Sequence, residues 1–285
     1  MSELVHWTAD PPVLRSPILL VALEGFVDAG EVGDHAAVFL RHRWAAEKVA
    51  ELDRDAFLDF RARRPSAVVD AGVVNRLEWP RIELFAARLD GPHDAVLLVG
   101  PEPDMAWHAL VEEVAAICDR LGIVRGVTLG AYPAATPHTR PVGIAQAGNA
   151  IDGPPLDGAT PVGGYTGPVG AATVLQAELA DRGVPVLGLW AEVPHYIAAS
   201  PNPAGALAMV RTVAGLLGVE VDVAELEAAA TLHQEQVNEA VADHGEAAQL
   251  IADLEEISDA GDRPTDIPSG EALADEIERF LRSED

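Results

Sequence analysis

The chain has 285 residues, is 49% hydrophobic, and carries a formal net charge of −27 from 46 Asp and Glu against 19 Lys and Arg. That length and apolar content are enough to bury a large core, while the charge repels a phosphate backbone and excludes nucleic acid as the expected partner. No apolar run approaches the roughly 18 residues of a membrane span, and Met1 to Asp10 lacks the basic and apolar zones of a signal peptide, so no membrane contact and a cytoplasmic location are expected.

The first clear element is Pro17 to Leu23, a continuous apolar run between Pro17 and Gly25 that reads as a central strand covered on both faces. A helix follows over Glu31 to Trp44, with Val32, Ala36, Phe39 and Leu40 at helical spacing. Strand followed by crossover helix opens a parallel sheet. Short strands are expected at Val49 to Leu52, Phe57 to Phe60, Ala67 to Asp70, Arg81 to Leu89 and Ala95 to Val99, as a meander added to that sheet. From Asp104 to Leu121, Val111, Val114, Cys118 and Leu121 share one helical face, which assigns the chain's one cysteine to packing, with Gly122 as C-cap before a strand at Val124 to Leu129.

Ala131 to Pro168 is different in kind. Its 38 residues hold seven prolines and seven glycines, and a long stretch without periodic structure is commonly functional. A helix over Ala171 to Asp181 comes next, with Thr166 as N-cap and Pro168 in the first turn, then a strand at Val184 to Leu189 and a helix over Pro203 to Leu217 ended by Gly218. Beyond it, Val223, Leu226, Ala230, His233, Val237, Val241, His244, Ala248, Ile251 and Leu254 recur at helical spacing, giving one long amphipathic helix or a pair broken near Gly245. A linker near 259–270 and a short terminal helix carrying Leu273, Ile277, Phe280 and Leu281 complete the chain, with Ser269 as its cap. The domain reading is an α/β core over 1–218 and an acidic helical extension over 219–285. From Gly218 onward there are 20 acids and 3 arginines, so this part holds −17 of the total charge.

Chemistry is constrained by scarcity. The single lysine, Lys48, sits in Ala46-Glu47-Lys48-Val49 and in no phosphate-binding Gly-Lys-Ser/Thr loop, and none of the seven serines lies in a Gly-x-Ser-x-Gly elbow. One cysteine excludes an internal disulfide and a thiolate metal cage. No metal and no cofactor is expected. His233 and His244 are eleven residues apart, about 16 Å along a straight helix, and are assigned to packing or an interhelical contact.

Several segments resemble the family that contains the second proteasome assembly chaperone, in its actinobacterial form. They are Leu23-Glu24-Gly25-Phe26-Val27-Asp28-Ala29-Gly30, Gly130-Ala131-Tyr132-Pro133 with Pro137-His138-Thr139-Arg140-Pro141, Thr166-Gly167-Pro168-Val169-Gly170, and Val193-Pro194-His195-Tyr196. The resemblance spans residues 15 to 250. It implies a three-layer α/β sandwich with a mostly parallel mixed sheet, similar to the purine nucleoside phosphorylase-like fold. It further implies self-association as a homo-oligomer, a trimer, and in distant relatives a role in building the proteasome α-ring. Proteasome-binding relatives often end in a hydrophobic-tyrosine-any tripeptide, from which Ser283-Glu284-Asp285 departs.

Two groups of polar residues are candidate sites. Gly164, Thr166, Gly167 and Gly170 open a helix and, with His138 or Arg140 as cation, form a candidate anion or ligand site, against the simpler reading of a tight strand-to-helix turn. Glu24 and Asp28 follow the first central strand, where open α/β sheets place ligands, and with His195 form a candidate polar cluster, against the reading that they cap a helix or end a strand. The leading expectation is a non-catalytic, self-associating scaffold or chaperone-like protein linked to proteasome assembly. The alternative is an enzyme or sensor that binds a nucleoside, nucleotide or phosphate at the 131–170 loop.

Overall fold

The computed structural model describes residues 4–8, 10, 12–149, 156, 159–242 and 245–260. The linker, the terminal helix with its Ser269 cap, and His244 lie outside the described residues. One mixed sheet is built from β1 (Val5–Trp7), β2 (Ile18–Glu24), β3 (Glu47–Leu52), β6 (Glu83–Ala87), β7 (Ala95–Pro101), β8 (Arg125–Ala134), β9 (Ile144–Asn149), β10 (Ala159–Pro161) and β11 (Val186–Pro194). Across the sheet these nine strands lie in the order β1-β3-β6-β7-β2-β8-β11-β9-β10. The four central strands β7, β2, β8 and β11 run parallel, and antiparallel partners extend the sheet on both sides.

Two helical layers cover this sheet, and alternation along β2 explains why both are needed. Ile18, Leu20 and Ala22 point into a core with α1 (Val32–Arg43) and α5 (Pro203–Leu217), while Leu19, Val21 and Leu23 point into a second core with α3 (Trp107–Leu121) and α4 (Ala171–Asp181). A strand apolar on both pleats is stable only between two such layers. Cys118 is buried in the second core, and burial pushes its thiol up to about 12, so it packs as a small apolar group. Gly122 caps α3 in the left-handed conformation. Helices α6 (Ala224–Ala242) and α7 (Gly245–Asp259) are the pair expected beyond Gly218, with α6 packed along α5.

Several local expectations are corrected. Phe57 to Phe60 is no strand: Arg54–Phe57 forms the short helix α2, started by Asp53, whose Oδ1 accepts the Ala56 N–H at 2.9 Å. The meander does not extend the sheet throughout, because β4 (Ser66–Asp70) and β5 (Val73–Glu78) pair only with each other as a separate hairpin. The 131–168 stretch is not without structure. β8 runs on to Ala134, and β9 and β10 fall inside it; β9, built from Ile144-Ala145-Gln146-Ala147-Gly148-Asn149, is too poor in branched and aromatic residues to signal a strand and is held by its antiparallel register with β11. Pro133 is tolerated in β8 because the ladder with β2 ends at Leu129 and the last bridge on that side, in which the Ala131 N–H donates to Val27 O at 3.1 Å, lies two residues before it.

Candidate functional site

The parallel strands β2, β8 and β11 end on one side of the sheet, and a cavity of about 630 Å³ opens there. Its walls come from the turn after β2 (25–29), the end of β8, the loop before α4, and the first turns of α4. This is the position where open α/β sheets bind ligands. Among the described residues, four aromatic side chains, Phe26, Tyr132, Tyr165 and Trp190, line it, and Asp28 is the single ionisable carboxylate.

The floor depends on two glycines. Trp190 stands opposite Gly130 in the β8–β11 register, and a Cβ placed on Gly130 would lie 2.5 Å from Val27 O and 3.1 Å from the indole Cδ1. At Gly188, two residues before Trp190 and on the same pleat, a Cβ would come within 2.2 Å of the indole Cη2. Both positions must lack a side chain for the ring to lie along the sheet. The Trp190 Nε1–H has no acceptor among the described residues. Behind the ring, Gln176 donates through Nε2 to Ala147 O at 3.1 Å, and its buried Oε1 receives no donor among the described residues.

Asp28 sits at the start of α1, where its carboxylate accepts the Gly33 N–H at 2.6 Å and the Asp34 N–H at 3.2 Å. These bonds favour the charged form, but burial outweighs them and lifts the carboxyl to about 6. Glu24 is raised as well, by burial first and then by Asp34. The two carboxylates nevertheless face different surroundings, since Asp28 turns toward the helix start and the cavity whereas Glu24 does not line it.

The glycine-rich turn before α4 is placed beside this cavity through Tyr165, Pro168 and Val169. Thr166 does not cap α4, whose N-cap is Gly170, and Pro168 lies before its first turn. The cap arrives from another part of the chain: Glu102, just past β7, accepts the Ala171 N–H through Oε1 at 2.6 Å. The positive end of α4 thus already faces a carboxylate of the protein itself. No local spacing in the sequence reports that contact.

His138 and Arg140 go elsewhere, to a second cavity of about 620 Å³ between the 136–144 segment, α5 and α6. Arg140 grips α7, with Nε and Nη2 each 2.8 Å from the Asp259 carboxylate and Nη1 at 3.1 Å from Glu255, to which the Thr139 hydroxyl also donates. The Tyr196 hydroxyl accepts the His138 backbone N–H at 2.8 Å and lies 2.8 Å from Nδ1, and Nε2 lies 2.9 Å from Asn238 Oδ1 on α6. One tautomer satisfies all three contacts, with Tyr196 donating to Nδ1 and Nε2–H donating to Asn238. Burial pushes the Tyr196 phenol up to about 12. His195 packs edge-on against the other side of Tyr196, with Nδ1 3.3 Å from Ala134 O. His233 lines the same cavity, and burial, then His138, lower its pKa. The Pro-His-Thr-Arg-Pro and Pro-His-Tyr strings therefore meet in space and bind α6 and α7 to the sheet, while the 164–170 turn lines the other cavity. Trp190 and Glu102 were missed from the sequence; Gly188-Leu189-Trp190 against Gly130 is the signal that would have indicated the first.

The PAC2 family model matches residues 22–241. A comparison with curated proteins returns no match. Among solved structures, a protein of unknown function from Corynebacterium glutamicum is similar with a TM-score of 0.84 at 28% identity, over 91% of this chain and 98% of that one. A Mycobacterium tuberculosis protein of unknown function gives 0.81 at 32% identity, over 91% and 92%. A proteasome-assembly chaperone homologue of M. tuberculosis gives 0.72 at 33% identity, over 82% and 99%.

Proposed function

The chain belongs to the PAC2 family, and from that premise we propose that it works through its surfaces, as a non-catalytic, self-associating cytoplasmic scaffold that assists proteasome assembly. The observation that carries this reading is the β4–β5 hairpin. It stands apart from the main sheet and holds Val68, Val69, Val73, Val74 and Leu77 exposed, Val69 at 58% and Val73 at 60%. An apolar patch on an exposed strand pair is costly in water and is the kind of surface that another chain covers. The charge at its base is opposite to that of the rest of the protein. The segments flanking the hairpin, 54–65 and 79–81, hold five arginines and two acids in a chain of net charge −27, so the base of the arm is complementary to the acidic α6 and α7 of a second copy. The trimer implied by the motifs and an arm of this type support one another.

Light scattering tests the self-association. The wild-type chain is expected to run as an oligomer, and the double variant Val69→Asp, Val73→Asp as a folded monomer, since the cost, on the order of 1 kcal/mol at each position, falls on a hairpin that stands apart from the main sheet. A monomeric wild type, or an unchanged mass in the variant, refutes it. Recovery of proteasome subunits with the tagged oligomer tests the client, and their absence removes the proteasome link. The alternative, a phosphorylated ligand at the 131–170 loop, has less support: Arg140 is committed to Glu255 and Asp259, and Glu102 faces the start of α4.

A further inference from the structure

The cavity at the ends of β2, β8 and β11 is not needed by a scaffold, and its chemistry is selective. Its volume, about 630 Å³, falls in the range of small-molecule sites. Its aromatic residues are arranged as a flat floor and a rim. The Trp190 indole lies along the sheet over Gly130 and Gly188, and Phe26, at 64% exposure, stands uncovered at the entrance. Tyr165 is fixed beside it because its hydroxyl donates to Pro168 O at 2.6 Å. An indole lying along a sheet with open volume beside it offers a stacking surface for another planar ring.

The polar groups narrow the class further. Asp28 is an acceptor at one wall; among the described residues the Trp190 Nε1–H at the floor has no acceptor and the Gln176 Oε1 buried behind the ring has no donor. A buried acceptor without a donor favours a ligand, or a ring shift on binding, that supplies N–H groups. Among the described residues no lysine, arginine or histidine lines the cavity, and Glu102 lies against Gly170 at its edge. With no cation to pair it, an anionic ligand is penalised by Asp28 and Glu102, whereas a cation gains from the carboxylate and from the aromatic faces.

We propose that this cavity binds a small planar heteroaromatic molecule, uncharged or cationic, which stacks on Trp190 and directs an N–H donor to Asp28. Phosphorylated and carboxylated compounds are excluded from it. The proposed site rests on neither the hairpin nor self-association, so failure of one proposal does not decide the other.

Two probes with one ring system and opposite charge test the inference: 2-aminobenzimidazole and benzimidazole-2-carboxylate, titrated calorimetrically into the full chain. The amine is expected to bind in the low millimolar range or tighter and at least about tenfold more tightly than the carboxylate. Trp190→Ala removes the floor, and Thr173→Phe fills the cavity from α4 while leaving the ring in place. Each is expected to weaken the amine by about tenfold or more with an unchanged circular dichroism spectrum. If Trp190→Ala does not fold, Thr173→Phe alone decides. No binding of the amine, equal binding of the carboxylate, or amine binding that survives cavity filling overturns the proposal.

Discussion

Replacing Asp28 by Asn separates the cost of a buried charge from the benefit of a helix cap. In the folded chain the carboxyl is raised from 3.8 to about 6, by burial above all, so the native state holds this proton more tightly than the unfolded chain does. Between those two values the unfolded state releases its proton first, and stability falls as pH rises, levelling off above pH 6. A shift of roughly two units corresponds to about 3 kcal/mol in full, of which about 1.4 kcal/mol falls between pH 5 and 7.5. That window also avoids the isoelectric region near 4.5, where the chain is least soluble. Asn does not titrate, so Asp28→Asn lacks this loss. It keeps one oxygen for the Gly33 N–H and places an amide against Asp34 N–H, a penalty of about 1 kcal/mol that does not depend on pH. Urea unfolding of both proteins at pH 5 and pH 7.5 gives the measurement. The stability of the variant relative to wild type is expected to rise by about 1.4 kcal/mol across the interval. A constant difference, or a change of opposite sign, refutes the claim that burial dominates at Asp28.

Two further outcomes follow from geometry. Arg140→Ala removes three hydrogen bonds to Glu255 and Asp259, so amide exchange in α7 is expected to accelerate while the central strands remain protected; unchanged α7 protection contradicts the clamp. Gly100 has φ +139°, and a Cβ there would lie 2.2 Å from Arg81 O, so Gly100→Ala is expected to cost about 3 kcal/mol or more, against a far smaller effect at the open Gly215 read in the same thermal melts.

What the sequence by itself determined was everything carried by short-range periodicity. The run Ile18 to Leu23, apolar on both pleats, required a central strand between two helical layers, and the spacing of Val111, Val114, Cys118 and Leu121 placed a helix and buried its thiol. Pro203 at one end and Gly218 at the other delimited α5, because such end signals are local; the Asn202 side chain that caps it emerged with the structure. The motif strings were legible too, but not their roles. Only the tertiary structure decided that His138 and Arg140 hold α6 and α7, across 100 and 119 residues of chain, while the 164–170 turn borders a different cavity. The same holds for Glu102, which caps α4 from the end of β7, and for Trp190, which needs glycines on two strands at once. The physical reason is common to all of them. Periodicity and caps are set by neighbours along the backbone, whereas a site is set by which strand ends the crossovers bring together, and that register is fixed only when the whole sheet packs.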